Sequence, residues 1–179
     1  MKRKIAILRG INVGGKRKIL MADLKSLCEK LGWENLETYI QSGNLIFNSN
    51  KQNLELENSL QSAITEKFGF DVPVILRTVD EIERAITNNP FYKKDNVDLD
   101  RLFLVFLKNT PTKENRIKAE SYNYEPDKFI ITKKEVYVFC EGQYHKSKLT
   151  NNFFESKLKT TATTRNWKTV LKLLELSKT

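Results

Sequence analysis

Between residues 4 and 78 the spacing of apolar residues alternates between the strand and helix periods, and the order of that alternation restricts the fold more than any other feature of the chain. Residues 4–9 are a short apolar run closed by Gly10, which predicts a strand. Met21, Leu24, Leu27, Cys28 and Leu31 share one helical stripe that stops at Gly32. Residues 37–41 and 45–48 read as two strands around the turn Ser42-Gly43-Asn44. Leu56, Leu60, Ile64 and Phe68 mark a helix over residues 54–68, and Gly69 follows it. Residues 72–78 return to a strand, where Pro73 favours a sheet edge. The predicted order, β-α-β-β-α-β, is the split βαβ unit of the ferredoxin-like class.

The rest of the chain repeats this order in part. Residues 80–87 predict a connecting helix. Asn88-Asn89-Pro90 breaks it before a polar stretch that carries the pair Lys93-Lys94 and runs to residue 100. The expected organisation is a first half over residues 1–78, a connection over 79–100 and a second half over 101–179. In the second half, residues 102–107 predict a strand and 113–119 a short helix. Residues 129–132 and 136–140 predict a hairpin across Lys133-Lys134, and 149–158 a helix capped by Ser147. A last helix is predicted from about residue 165, with Thr163 or Thr164 as its cap and Arg165 in its first turn. No closing strand is visible. The expected fold class is therefore α+β, two ferredoxin-like halves, the second incomplete or elaborated with C-terminal helices.

Composition narrows the function classes. The chain has 179 residues, 40% of them hydrophobic and 10% aromatic, which is enough for a core and argues against disorder. Its apolar runs are strand-sized and too short for a membrane span. The N-terminus lacks the pattern of a secretory leader, so a cytoplasmic location is expected. Cys28 lies on the helical stripe and Cys140 alternates with Val136 and Val138, so both read as core. His145 is the single histidine, and no Cys-x-x-Cys or paired-histidine spacing exists, so no metal site is expected. A net charge of +9 admits two readings. One is an anionic or nucleic-acid partner; the other is a lysine-rich, solvated surface.

The topology itself places a candidate site. In a split βαβ unit the first and third strands are antiparallel neighbours. The loop after the first strand, residues 10–18, then lies beside the turn Ser42-Gly43-Asn44. That gathers Arg9, Asn12, Lys16, Gln41, Ser42 and Asn44, with Gly10, Gly14 and Gly15 supplying a flexible backbone. Basic charge, amide side chains and glycine N–H groups suit an anion or a polar small molecule. Ordinary turn chemistry accounts for the same residues without a ligand. Gly10, Gly15 and Lys16 have P-loop spacing, but Arg17 stands where a magnesium-binding Ser or Thr belongs, and the helix starts too late. A βαββαβ order also suits RNA-binding modules. Here the first strand offers only Ile5, Ala6, Ile7 and Leu8, and apolar residues on both its faces predict a strand covered on both sides.

Three segments carry a resemblance: Leu8-Arg9-Gly10-Ile11-Asn12-Val13-Gly14-Gly15-Lys16, Tyr39-Ile40-Gln41-Ser42-Gly43-Asn44, and Thr164-Arg165-Asn166-Trp167. In that order, and over nearly its full length, the chain resembles the bacterial domain-of-unknown-function family numbered sixteen-ninety-seven. Asn88-Asn89-Pro90-Phe91 and Ser147-Lys148-Leu149 are similar as well. The resemblance implies an α+β fold of two ferredoxin-like subdomains. It implies no activity, cofactor or catalytic residue.

The expected ligand-binding set is Arg9, Gly10, Asn12, Gly14, Gly15, Lys16, Gln41, Ser42 and Asn44, joined by Arg165 and Asn166 if the last helix's N-terminus reaches the same place. The expected partner is an anionic or phosphorylated small molecule. A nucleic-acid surface and a purely structural or regulatory module are the alternatives. The residues do not separate an enzyme from a binding protein, and they leave oligomeric state open.

Overall fold

The computed structural model describes residues 1–92 and 97–179; the Lys93-Lys94 pair lies outside them. Two compact units are present. One is Met1–Glu83 with Leu173–Thr179, and the other is Arg84–Lys172.

The first unit runs β1 (Lys2–Leu8), α1 (Met21–Lys30), β2 (Glu34–Tyr39), β3 (Asn44–Ser49), α2 (Asn53–Phe68) and β4 (Val74–Thr78). Its antiparallel sheet has the order β2-β3-β1-β4. This is the split βαβ arrangement, with the Pro73-led strand at an edge as its missing N–H requires. One sheet face packs Leu8, Leu45 and Phe47 against Leu24 and Cys28 of α1 and Leu60 and Ile64 of α2. Trp33 stacks on Phe47 with ring centroids 3.8 Å apart. Ile5, Ala6, Ile7 and Leu8 are all fully buried, so β1 is covered on both faces and offers no exposed platform for bases.

The second unit has β5 (Leu102–Leu107), α4 (Lys113–Glu120), β6 (Lys128–Ile131), β7 (Glu135–Phe139), α5 (Asn151–Leu158) and β8 (Ala162–Asn166). Its sheet order, β6-β7-β5-β8, reproduces the first. The closing strand, not visible in the sequence, is β8. Its residues, Ala-Thr-Thr-Arg-Asn, are mostly polar, yet Ala162, Thr163 and Arg165 are buried: Thr is β-branched and suits a strand, and the Arg165 guanidinium donates to Thr163 Oγ1 at 3.1 Å. The β6–β7 hairpin turns at Lys133-Lys134, closed by Thr132 N–H donating to Glu135 O at 2.8 Å. Thr150, not Ser147, caps α5: its Oγ1 accepts from Phe153 N–H at 3.2 Å. Ser147 instead accepts from Leu149 N–H and donates to Asp127.

Each half ends in the same junction, with no linker between strand and helix. β4 passes through Arg77-Thr78 into α3 (Val79–Thr87), and β8 through Arg165-Asn166 into α6 (Trp167–Ser177). Thr78 Oγ1 accepts from Glu81 N–H at 3.2 Å, and Asn166 Oδ1 accepts from Thr169 N–H at 2.8 Å. Both caps satisfy a first-turn N–H that the helix cannot. The arginines before them are both buried, and each donates from Nη1 to the carbonyl of the preceding residue at 2.9 Å. The duplication is thus written in side-chain chemistry as well as in element order.

Candidate functional site

The connection from β1 to α1 is a small hairpin. Asn12 N–H donates to Arg17 O at 3.2 Å, and Lys16 N–H to Val13 O at 3.1 Å. Gly14 and Gly15 hold the two central positions with φ of 57° and 73°. Positive φ at both is the signature of a primed turn, which suits glycine. The Gly14-Gly15 pair therefore has a structural reason independent of any ligand. Helix α1 begins only at Met21, so the P-loop arrangement is absent.

The hairpin lies against the β2–β3 turn, as the antiparallel pairing of β1 with β3 dictates. Leu8 N–H donates to Gly43 O at 2.8 Å. Asn12 fastens the two together: its Nδ2 donates to Ile19 O and to Gln41 O, both at 2.9 Å, while its Oδ1 accepts from Ile19 N–H at 2.9 Å. Gly43 permits the approach. A Cβ there would lie 2.7 Å from Leu8 Cβ and 2.9 Å from Ile11 Cδ1, and its φ of 78° disfavours a side chain in any case. Asn44 is fully buried and donates to Tyr39 O at 3.1 Å and Ser42 Oγ at 3.0 Å. Asn12 and Asn44 thus hold the seat together, where amides free to orient a ligand were expected.

Beside this junction opens a cleft of ≈ 500 Å³. Asn12, Gly15, Lys18, Asp23 and Gln41 form its polar wall, and Ile19, Leu20, Met21 and Phe68 its apolar one. Leu20 is 72% exposed, an apolar side chain that the fold leaves uncovered at the cleft. Leu20 also occupies the N-cap of α1, where it has no group to accept a first-turn N–H. Three residues of the expected set, Asn12, Gly15 and Gln41, thus line the cleft. The basic residue on its wall is Lys18 rather than Lys16, because the tight turn sends Lys16 to the exposed hairpin tip. Lys18, Ile19, Leu20, Met21, Asp23 and Phe68 were missed. Met21 and Phe68 read as ordinary stripe residues, and no pattern in Lys16-Arg17-Lys18-Ile19-Leu20 separates the exposed Leu20 from the buried Ile19 before it.

Arg165 and Asn166 belong to the second unit. Arg165 is on β8 and not in the first turn of α6, which corrects the sequence expectation. Its buried guanidinium donates to Thr163 Oγ1 at 3.1 Å and Thr164 O at 2.9 Å, and burial pushes its pKa down to about 10. Asn166, rather than Thr163 or Thr164, is the cap of α6. Trp167 is fully buried and lies 5.2 Å from Tyr92 between ring centroids.

The remaining candidates resolve simply. Cys28 and Cys140 are buried free thiols in the two cores, and burial raises their pKa values to about 12 and about 11. Thiols so raised are poor nucleophiles. His145 is exposed in a single 3₁₀ turn, Tyr144–Lys146. Among the described residues no group of three or more His, Cys, Asp or Glu is placed to hold a metal, and no helix is long and apolar enough to cross a membrane.

A family model described as a protein of unknown function, DUF1697, matches residues 1–137. Among solved structures, the conserved bacterial protein SP0830 from Streptococcus pneumoniae superposes with a TM-score of 0.77 at 27% identity, over 98% of each chain. No curated protein matches the chain.

Proposed function

The chain belongs to the DUF1697 family, whose description names no activity, and from the geometry of its own loop and turn we propose that it binds a small anionic or phosphorylated organic molecule in the cleft beside α1. One observation carries this reading: a cleft of ≈ 500 Å³ whose lining combines Lys18, Gln41 and Gly15, with Asp23 as its one carboxylate, and the apolar side chains of Leu20, Met21 and Phe68. That volume lies within the usual range for small-molecule sites, which combine apolar walls with a few polar groups. The Lys18 ammonium would supply the charge. The Gln41 amide and the Gly15 N–H would orient the anion, and the apolar wall would cover the organic part. Asn12 on the wall and Asn44 beneath it hold the two halves of this surface in register.

A thermal-shift screen of nucleotides, sugar phosphates and other phosphorylated metabolites tests the proposal, run on the wild type and on Lys18→Ala and Gln41→Ala. A ligand at a hundred times its dissociation constant adds about 2.7 kcal/mol of apparent stability. The reading requires one metabolite class to stabilise the wild type and both substitutions to weaken the effect. The net charge of +9 favours one competing reading, a nucleic-acid surface. Stabilisation by short RNA alone, erased by salt, would replace the first reading with that one.

A further inference from the structure

The four sheet edges differ in how they are finished. On β4, the outward N–H groups of Leu76 and Thr78 are taken by carboxylates, Glu57 Oε1 at 2.8 Å and Glu81 Oε2 at 2.8 Å. On β8, Ala162 N–H is taken by Glu155 Oε1 at 3.0 Å. Glu57 and Glu155 hold the same place in their helices, the fifth residue of α2 and of α5. On β2, the register shifts between Glu34 and Glu37, and Asn35 has a φ of 48°. Carboxylate plugs and bulges are how sheets stop their edges from recruiting another strand.

β6, four residues long and begun by the exposed Lys128, carries neither a carboxylate plug nor a bulge among the described residues. It pairs with β7 in unbroken register, Lys128↔Phe139, Phe129↔Val138, Ile130↔Tyr137 and Ile131↔Val136. Thr132 N–H bonds Glu135 O, which sets the alternation: Ile130 and Lys128 exchange their backbone bonds with β7, so Phe129 and Ile131 point theirs away from the sheet. On the face opposite the core, Ile130 is left 41% exposed. Next to the edge lies a cleft of ≈ 340 Å³ whose wall includes Glu125, Asp127, Lys128, Tyr122 and Tyr124, with Lys157 and Lys148 over the two tyrosine rings. At the other end of β6 stands the basic turn Lys133-Lys134.

We propose that β6 is a self-recognition edge, pairing antiparallel with β6 of a second copy of this chain about a two-fold axis at Ile130. This register follows from the sequence of the strand. Centring on Ile130 sets Phe129 opposite Ile131 of the second copy, so the outward N–H and C=O groups of each meet their complements. It sets the two exposed isoleucines against each other at a non-hydrogen-bonded position, where side chains approach most closely. It also sets Lys133 opposite Asp127, so that each basic turn meets the Asp127 end of the tyrosine-lined cleft of the other copy. A register centred on Phe129 would place Lys128 opposite Ile130 and lose both matches. The occupant is therefore a second copy of this chain, because the strand and its flanks complement themselves.

Sedimentation velocity over a range of protein concentrations tests the proposal, together with hydrogen exchange at the same concentrations. The wild type forms a dimer as concentration rises. Amide protection grows at Phe129 and Ile131 and stays unchanged at Ile130, which is already bonded within the sheet. Ile130→Glu, a change at an exposed position, abolishes the dimer and leaves the circular dichroism spectrum intact. Lys133→Glu weakens the dimer at least tenfold, whereas Lys30→Glu, the same charge change on an exposed face of α1, does not. A monomer at every concentration overturns the proposal. So does a dimer that survives Ile130→Glu, or one in which Phe129 and Ile131 gain no protection.

Discussion

The side-chain amide of Asn12 donates to the backbone carbonyl of Gln41 at 2.9 Å, joining the hairpin after β1 to the turn before β3. The same side chain closes the hairpin on itself through both backbone groups of Ile19. One residue therefore sets the shape of the cleft wall without needing to touch a ligand. Asn12→Ala removes three hydrogen bonds and should cost about 1–3 kcal/mol in urea unfolding. Asn12→Asp keeps the acceptor and loses both donations, so its cost should fall close to that of the alanine variant. Ligand binding should weaken in both, since Gln41 loses its tether.

Gly43 and Gly69 both have φ near 78°, yet their surroundings differ. Gly69 is the C-cap of α2 and has open space where a Cβ would go. Gly69→Ala should carry only the left-handed penalty of about 1 kcal/mol. Gly43→Ala adds a clash with Leu8 and Ile11, so its cost should exceed that of Gly69→Ala by roughly 1–3 kcal/mol. Chemical denaturation of the two variants side by side measures the difference.

The buried thiols make stability fall in alkali. Cys28 and Cys140 titrate at about 12 and about 11 in the folded chain, against 9.0 for an ordinary thiol. Above pH 9.0 the unfolded chain releases thiol protons that the folded chain keeps. The folded state then binds more protons, so unfolding free energy decreases as pH rises. The loss approaches about 1.4 kcal/mol per pH unit for each thiol. Urea titrations between pH 8 and 10 should show this slope, and Cys28→Ala should flatten it while lowering stability overall.

The two caps at the duplicated junctions should be of comparable worth. Thr78→Ala and Asn166→Ala each free a first-turn N–H, of Glu81 and Thr169 respectively. Each should cost about 1 kcal/mol, and Thr78→Ser and Asn166→Asp should recover most of it. Thermal unfolding of the four variants checks this.

These residues also show which parts of the molecule could be read from sequence. The first half was legible because its strands and helices differ sharply in apolar period, and because Gly32, Gly43 and Gly69 punctuate them. The adjacency of the hairpin and the turn followed from topology alone. The polar strand β8 was not legible, because strands were recognised by apolar runs and Thr163 and Thr164 look like helix caps. That error moved Arg165 from a strand into a helix. The cleft was half legible. Its polar wall is contiguous with the two motifs, but Phe68 arrives from the far end of α2, and no local pattern separates it from the core stripe. The exchange of Lys16 for Lys18 depends on the handedness of the Gly14-Gly15 turn, which the backbone settles and the residue types do not.

The central claim is that an anionic organic ligand occupies the cleft between the hairpin, the turn and the start of α1. Mapping backbone amide shifts by heteronuclear NMR during titration with a mononucleotide, and separately with pyrophosphate, tests it most directly. The account predicts saturable shifts concentrated at Gly15, Lys18, Ile19 and Gln41, with Phe68 responding to the mononucleotide and not to pyrophosphate. Shifts scattered over lysine-bearing surfaces and erased by salt, or no saturable shifts in this cleft, would contradict it.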